Sequence, residues 1–263
     1  MIHPTAIIHP RAQLDSTVEV GPFTIIDEHA KIGANTKVGA HSWLTGWLEI
    51  GPENRIGYGV VLGAEPQDSH FKDARSYLRI GKGNLFREYC TIHRGSQEDS
   101  ATTIGNDNFF MGHSHAAHNC VIANKVILAN GALLAGHVEI EDGAFISGNC
   151  VVHQFVRIGT LALLPGGARV NKNVPPYMMV YHTNDIGAIN VIGLRRAQFS
   201  KETRQKIRDA YRILFRSGLN TSQAVVVLKK IEHDPAIEHL IQFIETSKRG
   251  ICRGSERESG EEE

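Results

Sequence analysis

The sequence predicts a mainly β chain, a parallel β-helix of hexapeptide repeats closed by a C-terminal α-helical cap. Three observations carry this. First, an aliphatic residue returns every six positions from Ile2 to Val170 and the count never slips. Of the 29 positions in this frame, 25 hold Ile, Leu, Val or Phe, and the exceptions are Asp68, Ala74, Glu98 and Ala116. Such a period fits neither a 3.6-residue helix nor an alternating strand. It fits a solenoid in which each short strand and its corner use one hexad. Second, the other hexad positions agree. Gly or Asp often follows the aliphatic residue, as at Asp15, Gly21, Asp27, Gly33 and Gly39. Four residues after it the side chain is usually small or β-branched, as at Ala6, Ala12, Val18, Thr24 and Ala30, which suits a narrow interior. Third, the repeat stops at Val174-Pro175-Pro176-Tyr177 and helical patterning follows.

Taken in order, the β-helix spans residues 1–176, and two polar stretches interrupt it near 64–78 and 97–103. Both leave the six-residue frame in step, so each is expected to be a loop ejected from a corner while the stack continues. Loops on a rigid scaffold are where binding groups concentrate. Two prolines end regular pairing at 175–176, and a linker is expected over 177–193. A helical domain follows over 194–252. Ser200 is a plausible N-cap for a helix that stops by Gly218, Thr221 or Ser222 starts a second helix ending near Asp234, and Asp234-Pro235 starts a third, closed by Gly250. An exposed last coil presents apolar interior and unpaired strand edges, so a cap is a physical need. The tail from Arg253, RGSERESGEEE, is expected to be disordered.

Composition bounds the function. The 263 residues carry no formal net charge and are 41% apolar, which argues against a general nucleic-acid binder. No apolar run approaches the roughly 18 residues of a membrane span. The N-terminal MIHPTAIIHP enters the repeat at once, so no signal or transit peptide is expected and the protein should stay in the cytoplasm. Cys90, Cys120 and Cys150 all occupy the small-residue slot and no CxxC occurs, so these read as buried apolar residues rather than metal ligands.

Histidine is the conspicuous residue. Six of the 14 lie between His93 and His153, densest in MGHSHAAHNC with His113, His115 and His118. With three hexads per coil, residues 18 apart stack on neighbouring coils. The hexads starting at Ala116, Leu134 and Val152 then bring His118, His137 and His153 to one face or edge, and His93 joins them if the second loop is ejected whole. Three readings suit such a column: solvated edge residues, a metal site like the three-histidine zinc of carbonic anhydrase, or general base catalysis, for which imidazole is well matched. His113 and His118 form a pair compatible with metal, but no third ligand stands upstream, where only Ser76, Tyr77 and Leu78 lie near the needed spacing.

The strings TIHRGS (91–96), HSHAAHNC (113–120), ILANGALLAGHVEI (127–140), VVHQF (151–155), VPPY (174–177) and NVIGLRRAQFS (190–200) together resemble the UDP-N-acetylglucosamine O-acyltransferases of lipid A biosynthesis. The resemblance runs in order over about residues 1–250. It implies a left-handed β-helix, a homotrimer with active sites between subunits, and no cofactor or metal. It implies transfer of a 3-hydroxyacyl chain from acyl carrier protein to the 3-hydroxyl of UDP-N-acetylglucosamine. By resemblance His118 is the general base and the Gly136 N–H stabilises the oxyanion. His93, His115 and His137 line the pocket, Gln67 and Asp68 match sugar contacts, and His153 and Gln154 match the cleft near nucleotide and acyl chain. Asn190 and Arg196 match nucleotide contacts from the neighbouring subunit, and Gly166 falls where the family sets acyl length.

Four departures from the family pattern stand out. Asn119 replaces the usual Asp after the base, His70 replaces a loop lysine, Ile192 stands where an acidic nucleotide contact is common, and the basic triplet ends in Ala197. The linker before Asn190 is also one residue shorter than the pattern. These bear on the acceptor, so two other functions are weighed beside the first: N-acylation of a 3-amino analogue of the sugar nucleotide, for which an amine needs a weaker base, and a metal-dependent hydratase.

Overall fold

The hexads wind into a left-handed parallel β-helix with three faces. The computed structural model describes residues 1–231 and 234–255. Among these, the first face stacks nine strands from Ile7–Ile8 to Arg169–Val170, and the second stacks eight from Gln13–Leu14 to Arg157–Ile158. The third runs from Glu19–Val20 to Leu163–Leu164 and is extended by three strands from the C-terminal region. Most strands are two residues long, so one residue faces in and one faces out. From Val20 onward the inward residues of the frame are buried in a single core. Phe86 and Phe110 stack inside it with ring centroids 4.7 Å apart. Ala116, one hexad after Phe110, is fully buried.

The two loops keep the frame because they contain whole hexads. Strand partners are 18 residues apart in regular coils, as in Ile25↔Trp43 and Trp43↔Val61. They are 30 apart across the first loop, Val61↔Thr91, and 24 apart across the second, Thr91↔His115. The insertions are therefore two hexads and one, which accounts for the off-pattern residues Asp68, Ala74 and Glu98. The loops themselves run from 65 to 76 and from 94 to 100, between strands Val61–Ala64, Tyr77–Ile80, Thr91–His93 and Ala101–Ile104. The second ends three residues earlier than the sequence suggested. Polar Ala101-Thr102-Thr103 reads as loop, but it pairs in register with Tyr77-Leu78-Arg79 and buries Thr102.

The region expected to be a linker is instead a strand pair. Met178–Val180 and Asp185–Ile189 pair antiparallel, and Met179 lies beside Leu163 of the last coil. The open edge of the third face supplies the driving force, and Met178, Val180, Ile186 and Ile189 are buried there. Among the described residues four helices follow: α1 (Val191–Arg196), α2 (Lys201–Phe215), α3 (Thr221–Leu228) and α4 (Pro235–Glu245). The short α1, capped by Asn190, begins inside the expected linker. Ser200 caps α2 and Asp234 caps α4, while α3 starts from Asn220, one residue before the expected cap, in a capping box with Gln223. The α2 face Ile207, Ala210, Tyr211 and Leu214 is buried, and Tyr211 donates to the Gly187 carbonyl at 2.7 Å. The tail is ordered further than expected: Arg253–Gly254 adds a parallel strand beside Asp185-Ile186, and Cys252 and Ser255 are buried. An unpaired strand edge again gains hydrogen bonds. The rest of the expected disordered tail, 256–263, lies outside the described residues.

Asparagine takes over the small-residue slot at one corner. Asn54, Asn84 and Asn108 are buried there and form a ladder. Asn84 Nδ2 donates to Asn54 Oδ1 at 3.0 Å and to the Gly105 carbonyl at 3.0 Å, and its Oδ1 accepts from Asn108 N and Nδ2, both at 2.9 Å. Removing the central rung strands polar groups on both neighbouring coils. Asn84→Ala is expected to cost about 3 kcal/mol, read as a lower urea midpoint of the intact protein; an unchanged midpoint would show that the ladder contributes nothing.

Candidate active site

The edge where the first face turns into the second collects the histidines. The register Ile92, Ala116, Leu134, Val152 stacks the hexads that carry His93, His118, His137 and His153 on that edge. Both ejected loops leave from the same edge. Asn119, His137 and Phe155 sit at its turns with φ of 59°, 60° and 63°. His115 arrives from the neighbouring strand His115–Ala116, hydrogen-bonded to Thr91 Oγ1 through Nδ1 at 2.7 Å.

Four imidazoles form two edge-to-face pairs. His93 and His115 have ring centroids 5.0 Å apart, and His118 and His137 have theirs 5.2 Å apart. Phe155 stacks on His137 at 4.7 Å. The His118 ring lies against Gly136: a Cβ there would stand 2.7 Å from both Cε1 and Nε2. Only glycine therefore allows this approach. The Gly136 N–H makes no hydrogen bond among the described residues.

Asn119 fixes the tautomer of His118. Its Oδ1 lies 2.9 Å from His118 Nδ1 and accepts from Ser96 N at 3.0 Å and Ser96 Oγ at 2.9 Å. A backbone N–H can only donate, so the atom it meets is the amide oxygen. That oxygen accepts the Nδ1–H of His118, which leaves the Nε2 lone pair on the side of Gly136. Asn119 is itself held, its N–H donating to Thr102 Oγ1 at 2.8 Å.

Burial disfavours the charged form at His93, His115 and His137. Burial, then His115, His118 and Arg94, push His93 down to about 4. Burial lowers His115 as well. Partial burial and His118 lower His137, opposed by Asp68. Asp68 reaches this group from the first loop. The backbone N–H of His70 holds its carboxyl below the usual range, and His118 adds to the effect.

The remaining sequence candidates stand apart within one chain. Gln67 is exposed in the first loop, and His70 is exposed with Nδ1 3.2 Å from Asp68 Oδ1. His153 and Gln154 share the edge but are exposed one coil further on, with His153 Nδ1 3.3 Å from Arg249 Nη2. Gly166 is exposed at a different edge, between the third and first faces. Asn190 is buried as the cap of α1, its Oδ1 accepting from Gly193 N and its Nδ2 donating to the Leu161 carbonyl. Arg196 is exposed at the end of α1. A cleft of about 700 Å³ continues from Asn119, His137 and Phe155 towards Arg157, His239 and Arg249. The sequence reading missed Ser96 and Phe155, although both lie in strings it quoted; only stacking reveals what they touch. Among the described residues no three His, Cys, Asp or Glu side chains are grouped to hold a metal ion.

Hexapeptide coils with an imidazole-lined edge and a helical cap define a hexapeptide-repeat acyltransferase. A family model described as Udp N-acetylglucosamine O-acyltransferase, domain 2, matches residues 173–252. The acyl-(acyl-carrier-protein)–UDP-N-acetylglucosamine O-acyltransferase of Burkholderia lata is 43% identical over 96% of this chain and 99% of its own length. Its counterpart in Thermodesulfovibrio yellowstonii is 44% identical over the same shares. The UDP-N-acetylglucosamine acyltransferase of Bacteroides fragilis superposes with a TM-score of 0.93 at 43% identity, covering 96% of this chain and 100% of that one. That of Campylobacter jejuni gives 0.91 at 31% identity, covering 97% and 100%. The chain belongs to the UDP-N-acetylglucosamine O-acyltransferase family.

The buried His93 couples stability to pH. Unfolded, it takes up a proton near 6.5; folded, it refuses one down to about 4. The unfolded state therefore binds more protons within that window, and stability falls as pH drops from 6.5 to 4, by about 3 kcal/mol in total. His93→Gln is expected to flatten this part of a urea-midpoint profile. An equally steep profile in the variant would place the acid sensitivity elsewhere.

Proposed function

We propose that this chain transfers a 3-hydroxyacyl group from acyl carrier protein to the 3-hydroxyl of UDP-N-acetylglucosamine, the first step of lipid A synthesis. The observation that carries the chemistry is the His118 imidazole, oriented by an amide oxygen, with its Nε2 lone pair lying over a side-chain-free Gly136. Nε2 takes the proton of the attacking hydroxyl as that oxygen bonds to the thioester carbon. The carbonyl oxygen gains the charge and is met by the Gly136 N–H. The C–S bond then breaks, and the proton on Nε2 passes to the departing carrier sulfur. A thioester is already activated, so a base and an oxyanion donor suffice without a metal or an acyl-enzyme.

Binding roles follow from position. Gln67, Asp68 and His70 would meet the sugar from the first loop, with His93, His115 and His137 lining its pocket. Leu133 and Val151 are exposed on the first face, on the coils between the His118 edge and Gly166. They offer an apolar path for the acyl chain, with Gly166 leaving room at its far end. His153 and Gln154 would flank nucleotide and chain. Asn190 and Arg196 would serve a neighbouring copy in a homotrimer whose sites lie between subunits. No helix among the described residues is long and apolar enough to cross a membrane, and a cytoplasmic location suits the carrier-bound substrate.

The testing experiment offers 3-hydroxyacyl carrier protein with UDP-N-acetylglucosamine or its 3-amino analogue, with products read by mass. Transfer to the hydroxyl sugar is expected, and preference for the amine or transfer to neither would overturn the reading. His118→Ala should lower kcat by about 10²–10⁴-fold with the fold intact; a loss within about tenfold would remove His118 as base.

Asn119→Asp tests the neutral orienter. A carboxylate beside Nδ1 favours the imidazolium, so the acidic limb of the kcat/KM profile should move to higher pH. An unmoved limb would mean that residue 119 does not govern His118.

A further inference from the structure

Arg94 is an unusual side chain for its place. It follows strand Thr91–His93 and is only 4% exposed. A buried charge is retained at a cost unless it is paired, and its pairs are specific. Arg94 Nη2 lies 3.8 Å from Glu65 and 3.9 Å from Asp73. Nη1 donates to the Gly63 carbonyl at 3.3 Å. The guanidinium lies over the Phe71 ring at 5.3 Å and the Trp47 ring at 5.8 Å. Nε has no hydrogen-bond partner among the described residues.

Glu65, Phe71 and Asp73 all belong to the 65–76 loop, one at its start and two towards its end. Apart from the buried Pro66, the loop has few other anchors. Among the described residues, the hydrogen bonds of residues 65–74 are internal, from His70 N to Asp68 Oδ1 and from Phe71 N to the Asp68 carbonyl. Ties beyond the loop begin at Arg75 and lead to the second loop: Arg75 donates its N–H to Glu98 and its carbonyl accepts from Asp99. The channel for the guanidinium is shaped by glycine. A Cβ at Gly46 would stand 3.1 Å from Arg94 Cδ and Nη1. Gly63 has φ of 85°, and the strand register shifts beside it, which turns its carbonyl to Arg94.

We propose that Arg94 is a positioning residue that clamps the 65–76 loop from beneath and so sets the affinity for the acceptor sugar. It draws both ends of the loop onto the edge, and this holds Asp68 within the field of His118 and His137. Among the described residues its side-chain polar contacts are with Glu65, Asp73 and the Gly63 carbonyl, and none is with Gly136, His118 or Asn119, so its action falls on the acceptor side. This rests on the acyl-transfer reading above.

The test compares full-length wild type with Arg94→Gln, Arg94→Lys and the double variant Glu65→Gln/Asp73→Asn, whose two carboxylates are exposed. Steady-state rates are taken with 3-hydroxyacyl carrier protein and UDP-N-acetylglucosamine, and amide exchange is followed over residues 65–74. In Arg94→Gln the acceptor KM should rise about tenfold with kcat within about threefold and the donor KM unchanged, the signature of lost acceptor binding. Arg94→Lys should recover part of this. The double variant should raise the acceptor KM about threefold, and exchange of the loop should quicken in all three. If the double variant and Arg94→Lys leave both the acceptor KM and the loop exchange at wild-type values, the proposal is wrong. If donor and acceptor KM rise together, Arg94 is merely structural. If wild type transfers to no UDP-sugar yet loop exchange quickens in the variants, the acyl-transfer reading fails and the clamp stands.

Discussion

Every feature of this molecule depends on one constraint, the hydrogen-bonded register between coils. Each N–H on an outward strand position donates to a carbonyl on the next coil, as from Ile25 to Ser42 and from Trp43 to Val60. A two-residue strand has little stability alone, so the register survives only because every coil repeats it and the inward residues share one core. A one-residue slip would turn each buried aliphatic side chain outward. Both ejected loops are whole hexads and leave the frame in step.

The same constraint builds the site. Stacking coils bring together residues that are 18 or 24 positions apart, such as Thr91 with His115 and His118 with Gly136. The corner after the first face supplies turns with positive φ, which project Asn119, His137 and Phe155 from successive coils. Close spacing between coils then makes side-chain volume decisive: a methyl group on Gly136 would collide with the His118 ring. The geometry of the proposed site follows from the spacing between coils, with the Ser96–Asn119–His118 hydrogen bonds added to it.

Much of this was legible in the sequence, and the reason is physical. The six-residue period reports the coil directly, so the fold, the loop positions and the gathering of histidines on one edge followed from counting. The C-terminal strands were not legible, because Met178–Val180 and Arg253–Gly254 exist to satisfy open sheet edges, and local patterning carries no trace of a distant edge. Ser96 and Arg94 were hidden for a related reason. Their partners, Asn119 for one and Glu65 and Asp73 for the other, are fixed by how far the ejected loops fold back, which the period does not specify. Asn119 was read as the loss of a carboxylate; the structure shows instead a neutral oxygen with three hydrogen-bonding neighbours that can hold one tautomer of His118.

The placement of the remaining candidates follows from the geometry of a three-faced solenoid. One edge can bring together residues of successive coils, but Gly166 lies across the first face and Asn190 and Arg196 lie on the cap. Asn190 spends one N–H on Leu161 and one lone pair on Gly193, so it is already rigid, with a second N–H and a second lone pair left for a ligand. A rigid donor at the start of α1 and an exposed Arg196 at its end suit a surface offered to another copy better than a site within one chain. Three equivalent edges in a homotrimer would each receive the helical cap of a neighbour. In the assembly proposed above, the helices that seal the open end of the core in one subunit would complete the nucleotide end of the site in the next.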